Sequence, residues 1–120
     1  MEALEFAKIA AGILDSKKAK DVQAVKVDDL TSVTEYFVFA GGTSNTQVRA
    51  LADEVEFRLK TEYGEAPIHT EGYRDATWIV LDYGYVMIHV FQPTAREFYK
   101  IEKLWADGEQ VDLSDVLMPD

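Results

Sequence analysis

Cysteine is absent from this chain of 120 residues, and with it go disulfides, thiolate nucleophiles and thiolate-held metals. Histidine occurs only twice, at His69 and His89, which leaves little for an imidazole-based metal centre. Positive charge is scarce: 12 Lys and Arg stand against 22 Asp and Glu, a net charge of -10. A field of that sign repels phosphate backbones and anionic membranes, so neither nucleic acid nor a membrane surface is the expected partner. The basic residues Lys17, Lys18, Lys20 and Lys26 do cluster, yet no aromatic falls between them to stack on bases, and they read as a solvated connection. No run approaches the ~20 apolar residues of a membrane span, and Met1 and Glu2 are not followed by a basic segment leading into an apolar one. A soluble protein of a reducing cytoplasm is the expectation.

What is present suits one α/β domain, since a chain of this length buries about two-thirds of its unfolded surface. Over residues 2–15, Leu4, Ala7, Ala11 and Leu14 form one helical row and Phe6, Ile9, Ala10 and Ile13 a second. So wide an apolar surface calls for cover on two sides, from the chain itself or from a second copy. Residues 22–27 and 36–40 read as strands, the second fully buried and ended by Gly41 and Gly42. Ser44 and Gln47 form a capping box before an amphipathic helix with Val48, Leu51, Ala52, Val55 and Leu59 on its apolar face, and Gly64 closes it.

Residues 68–71 fit an edge strand and 72–76 a polar turn. Segments 77–82 and 85–91 flank Tyr83 and Gly84 at the spacing of a tight hairpin. Pro93 ends the second of these, and Thr94 with Glu97 suggests a capping box for a short helix through Phe98, Tyr99, Ile101 and Leu104. Asp107, Glu109, Asp112, Asp115 and Asp120 then accumulate with no basic residue beyond Lys103. The expected organisation is a single mixed sheet of about five strands with flanking helices over residues 1–105, followed by a mobile acidic tail over 106–120.

A turn at Tyr83 and Gly84 pairs Asp82 with Tyr85, Val80 with Met87 and Trp78 with His89. One face then carries Ile79, Leu81, Val86, Ile88 and Val90, all aliphatic and suited to packing on helices. The other carries Trp78, Val80, Asp82, Tyr85, Met87, His89 and Phe91. Water-facing sheet surfaces tend toward Lys, Glu, Thr and Ser, whereas this face has the aromatic and methionine content of a protein interface. The alternative is that another layer of the same domain covers it.

Chemical readings are weaker. The Gly41–Asn45 turn resembles a phosphate cradle at a helix N-terminus, but it lacks a P-loop lysine and a full G-x-G-x-x-G. A strand acid after a Gly-Thr-Ser turn is similar to nucleotidyltransferases, which hold Mg²⁺ between paired carboxylates; here Asp82 is followed two residues on by Gly84 and faces Tyr85. His69, Glu71 and His89 have no short ligand spacing. We therefore expect no catalytic residue, no cofactor and no metal.

Several blocks, YFVFAGGTSNTQVRALADEVE (36–56), Glu71-Gly72, WIVLDYGYVMIHVFQP (78–93) and REFYKIEKLW (96–105), together resemble the ribosomal silencing factor family, also called the Iojap family. The resemblance spans roughly residues 22–105. It implies a nucleotidyltransferase-like fold without catalytic acids and a tendency to dimerise. It also implies a factor that binds the fourteenth protein of the large ribosomal subunit, blocks joining of the small subunit and lowers translation under nutrient limitation. Carried over residue by residue, Trp78, Asp82 and His89 face the partner, with Glu71 and Gly72 nearby. The composition of the face adds Met87 and Tyr85, the latter where the family usually has an acid. A basic ribosomal protein suits a chain of net charge -10.

Overall fold

Helical spacing of apolar residues produces α1 over Ala3–Ser16, which buries Phe6, Ala7, Ala10, Ala11, Ile13 and Leu14. The structure, a computed structural model, describes residues 1–100, 103 and 106–118, with the backbone alone at 97–99. Six strands form one mixed sheet in the order β3-β4-β5-β2-β1-β6: β1 (Lys20–Lys26), β2 (Tyr36–Gly41), β3 (His69–Glu71), β4 (Trp78–Asp82), β5 (Val86–Phe91) and β6 (Glu109–Gln110). Only β2 and β5 run parallel; the other neighbours are antiparallel. These two strands lie at the centre, and every residue of β2 is buried, as a strand covered on both faces requires.

The parallel pair is joined through α2 (Asn45–Tyr63) and the β3–β4 hairpin. Ser44 caps α2 by accepting the Gln47 amide at 3.1 Å, and Gly64, at φ +70°, ends it. The Gln47 side chain reaches back to Thr43 rather than to Ser44, one residue beyond the expected capping box. Gly42 lets strand and helix approach: a Cβ there would sit 2.9 Å from Val48 Cγ2. α1 and α2 cover one face of the sheet, where Ile79, Leu81, Val86, Ile88 and Val90 join Val48, Leu51, Val55 and Leu59 in the main core.

Cover for the second side of α1 comes from the region expected as an acidic tail. Leu113 is 7% exposed in the main core, and Val111, Val116 and Leu117 pack against it. Lys8 pairs with Asp115 at 2.6 Å, and the Met118 amide donates to Asp15 Oδ2 at 2.7 Å. Acids in this stretch lie outward and Val111, Leu113, Val116 and Leu117 inward, while β6 pairs with β1. Lys20 and Lys26 are not part of a connection but of β1, and Lys17 lies 3.5 Å from Glu54.

One further expectation changes. α3 (Pro93–Tyr99) begins with Pro93 in its first turn and Gln92 as N-cap, with no side-chain cap bond, so Thr94 is not the cap. Its Arg96 donates to the carbonyls of Lys20 and Asp21, at 3.3 and 2.7 Å, where β1 is irregular. The expected extension through Ile101 and Leu104, together with Trp105 and Asp120, lies outside the described residues.

Candidate functional site

The hairpin that carries most of the candidate residues turns one step later than the spacing suggests. β4 and β5 pair Asp82 with Met87, Val80 with His89 and Trp78 with Phe91, so the two loop residues are Gly84 and Tyr85. Gly84 takes φ +88° at the first loop position, a demand that glycine meets without strain. The Tyr83 amide donates to the Val86 carbonyl at 2.9 Å to close the turn. Asp82 Oδ1 accepts the Gly84 amide at 2.7 Å, which ties the carboxylate to the turn.

The slip preserves the parity of both strands, so Trp78, Val80, Asp82, Met87, His89 and Phe91 remain on one face. Tyr85 does not. Its ring lies against Phe6 of α1 at 5.2 Å, and burial there raises its pKa. Its carbonyl accepts the Glu35 and Tyr36 amides at 3.1 and 3.2 Å. It therefore belongs to the helix-covered side and not to the candidate face.

That face divides into two zones. Over β1, β2 and the end of β5, the residues Val25, Val27, Phe37, Phe39, Phe91 and Ala95 form a second buried cluster. Here the alternative of internal cover holds, and His89 belongs with this zone at 6% exposure. Its Nδ1 accepts the Trp78 indole N–H at 3.0 Å, and desolvation lowers its pKa to about 4. Toward β3 the face opens. Trp78 and Met87 are half-buried beside the second cluster, Val80 and Asp82 are half-buried, and His69 and Glu71 are exposed. His69 stands opposite Asp82 and Glu71 opposite Val80. His69 Nε2 and Glu71 Oε1 lie 2.8 Å apart, an exposed pair of small energetic value.

Gly72 ends this edge for a steric reason: at φ +89°, a Cβ would fall 2.0 Å from the Trp78 carbonyl oxygen. The loop after it is held on α2, where Arg49 donates to the carbonyls of Tyr73 and Arg74 at 2.9 and 2.6 Å and the Tyr73 hydroxyl donates to Glu56. A rigid path thus delivers the chain to Trp78. The aromatic face read from the hairpin alone did not include His69, which stands beside Val80 and Asp82 in this zone. The β3–β4 register that gathers them spans a loop with no tight-turn signature.

The groups weighed above for chemistry lie apart among the described residues. Among the described residues, no group of three His, Asp or Glu side chains is arranged to hold a metal ion. His69 and Glu71 sit on β3, two strands from His89 on β5. In the glycine-rich turn, the Gly42 amide donates to the Phe91 carbonyl and the Gln47 amide to Ser44. Gly41 pairs with Phe91 at one end of β5 and Asp82 with Met87 near the other, about 13 Å apart along the strand. The turn and Asp82 thus lie toward opposite ends of β5. A separate cleft of about 450 Å³ lies between α1, β1 and β6, but its cations Lys8 and Lys26 already face Asp115 and Asp28 at 2.6 and 4.0 Å.

Relatives place the fold in a known group. A family model described as "Ribosomal silencing factor during starvation" matches residues 1–120. The ribosomal silencing factor RsfS of Halalkalibacterium halodurans is 34% identical over 98% of this chain and 99% of its own. The factor of the same name from Chromobacterium violaceum is 39% identical over 88% of this chain and 85% of its own. A crystal structure of a protein from Chromobacterium violaceum superposes with a TM-score of 0.85 at 37% identity, covering 95% of this chain and 93% of that one. This chain belongs to the ribosomal silencing factor family.

Proposed function

We propose that the protein is a translational repressor that binds the fourteenth protein of the large ribosomal subunit through the open zone of the sheet and thereby blocks joining of the small subunit. The observation that carries this reading is the half-buried Trp78 and Met87 beside Asp82 and Glu71, an apolar anchor with an acidic margin, on the side of the sheet away from α1 and α2. Acidic margins on a chain of net charge -10 suit a basic ribosomal protein and disfavour exposed rRNA. Repression is steric: one occupied surface excludes a whole subunit, and neither a catalytic group nor a cofactor is needed. In this reading the sheet is a nucleotidyltransferase-like scaffold used without its chemistry, and the repression serves nutrient limitation.

Family membership and the names of the relatives support ribosome association, and the partition of the face supports the location. The residues assigned to contact are Trp78, Asp82, Met87, Glu71 and Gly72. The test is reassociation of separated subunits. The wild-type protein lowers the yield of joined ribosomes, and Trp78→Ala restores it. Equal inhibition by a folded Trp78→Ala protein removes the docking assignment. Light scattering of the same variant separates loss of ribosome binding from loss of a homodimer, the competing occupant of this face.

A further inference from the structure

Trp78 and His89 are diagonal neighbours on adjacent strands, because Trp78 pairs with Phe91 and His89 with Val80. The indole Nε1–H donates to His89 Nδ1 at 3.0 Å. An N–H donor at this distance selects the neutral imidazole with Nδ1 bare, so the ring proton sits on Nε2. Nε2 is buried and has no hydrogen-bond partner among the described residues. Rings surround the imidazole: Phe37 at 5.0 Å and 79°, Phe39 at 5.4 Å, and Phe91 at 6.0 Å and nearly parallel.

A buried N–H without an acceptor is unfavourable, and an aliphatic side chain would fill this space without that penalty. The hydrogen bond that His89 accepts from the indole is an interaction that neither an aliphatic residue nor a phenyl ring can supply. Trp78 also stacks on Phe91, with centroids 5.4 Å apart at 29°. Stacking on Phe91 sets the plane of the indole, and the bond from Nε1 to His89 sets which edge points inward and which outward. Desolvation keeps the imidazole neutral near pH 7, so the acceptor persists.

We propose that His89 is a positioning residue: it makes no contact with the partner, and it holds the Trp78 indole in the orientation that docks. This rests on the docking face of the proposed function and changes the role of His89 within it. Ordering the anchor before encounter removes rotamer entropy that binding would otherwise have to overcome.

The test combines a local readout with a functional one in the full chain. Trp78→Phe identifies which indole Nε1–H resonance belongs to Trp78. Exchange of that proton with solvent and binding to purified large ribosomal subunits are then measured for wild type, His89→Leu and His89→Gln. The expected result is that His89→Leu, with backbone amide protection retained, exchanges the indole proton at least about tenfold faster and binds about tenfold more weakly, a loss of about 1.4 kcal/mol. His89→Gln keeps an acceptor and recovers much of both. Unchanged indole exchange in His89→Leu overturns the hydrogen bond as a restraint. Faster exchange with undiminished binding, while Trp78→Ala abolishes binding, overturns positioning and leaves the docking face standing. If Trp78→Ala binds like wild type, the docking face itself fails and the proposal falls with it.

Discussion

The two faces of the sheet are both strongly apolar in sequence, yet they end in different states. The face under α1 and α2 is aliphatic along its strands and closed, with Ile79, Leu81, Val86, Ile88 and Val90 fully buried. The opposite face is aromatic and only half closed: buried around Phe37, Phe39, His89 and Phe91, open around Trp78, Val80 and Asp82. Aliphatic strand residues interlock with helices and bring no polar side-chain atoms to satisfy; on this side the buried hydroxyl of Tyr83, at the hairpin, has no hydrogen-bond partner among the described residues. An aromatic face with an indole N–H, an imidazole and a carboxylate retains directional groups. That is useful where a surface must recognise a partner as well as exclude water.

The contrast is broken most severely on the closed face. Phe6 is fully buried, with its ring 4.9 Å from Tyr83 and 5.2 Å from Tyr85. Phe6→Ala is expected to lower stability by about 3–5 kcal/mol, read from chemical denaturation. Leu113→Ala tests whether residues 111–118 belong to that closed face. With Leu113 in the main core, the expected loss is about 2–3 kcal/mol, and a loss below about 0.5 kcal/mol would place this segment outside the cooperative unit.

Acid sharpens the comparison on the aromatic side. His89 titrates near 6.5 in an unfolded chain and at about 4 when folded, so between these values the unfolded state binds more protons. The contribution of neutral His89 is fully present above about pH 6.5 and is lost as pH falls toward 4, by about 2 kcal/mol at pH 5. Subtracting the profile of His89→Gln isolates it from the carboxylates. Identical pH profiles for the two proteins would deny that His89 is buried and neutral.

Much of this division was legible in the chain, for a reason that also explains the errors. Period-two alternation assigns side chains to faces without locating the turn, so Ile79, Leu81, Val86, Ile88 and Val90 were sorted correctly although the hairpin register differs by two. Tyr85 alone changed sides because it is in the loop, where alternation has no force. The depth of His89 depends on Phe37 and Phe39 of β2, which adjoins β5 in parallel across an intervening helix and hairpin. No local pattern encodes such a pairing. Similarly, β6 has two residues and no periodicity, and acids on its outward side concealed the inward Val111, Leu113 and Val116. Of the four blocks that carried the family resemblance, 36–56 and 78–93 are the sheet centre, the α2 entry and the hairpin.

The central claim, that the open aromatic zone is the docking surface, is tested most directly by co-sedimentation of Trp78→Ala with purified large subunits. The account predicts a folded protein with near-normal thermal stability whose binding is weaker by about 2 kcal/mol or more, roughly thirtyfold in Kd. A folded Trp78→Ala protein that co-sediments as the wild type does would contradict it.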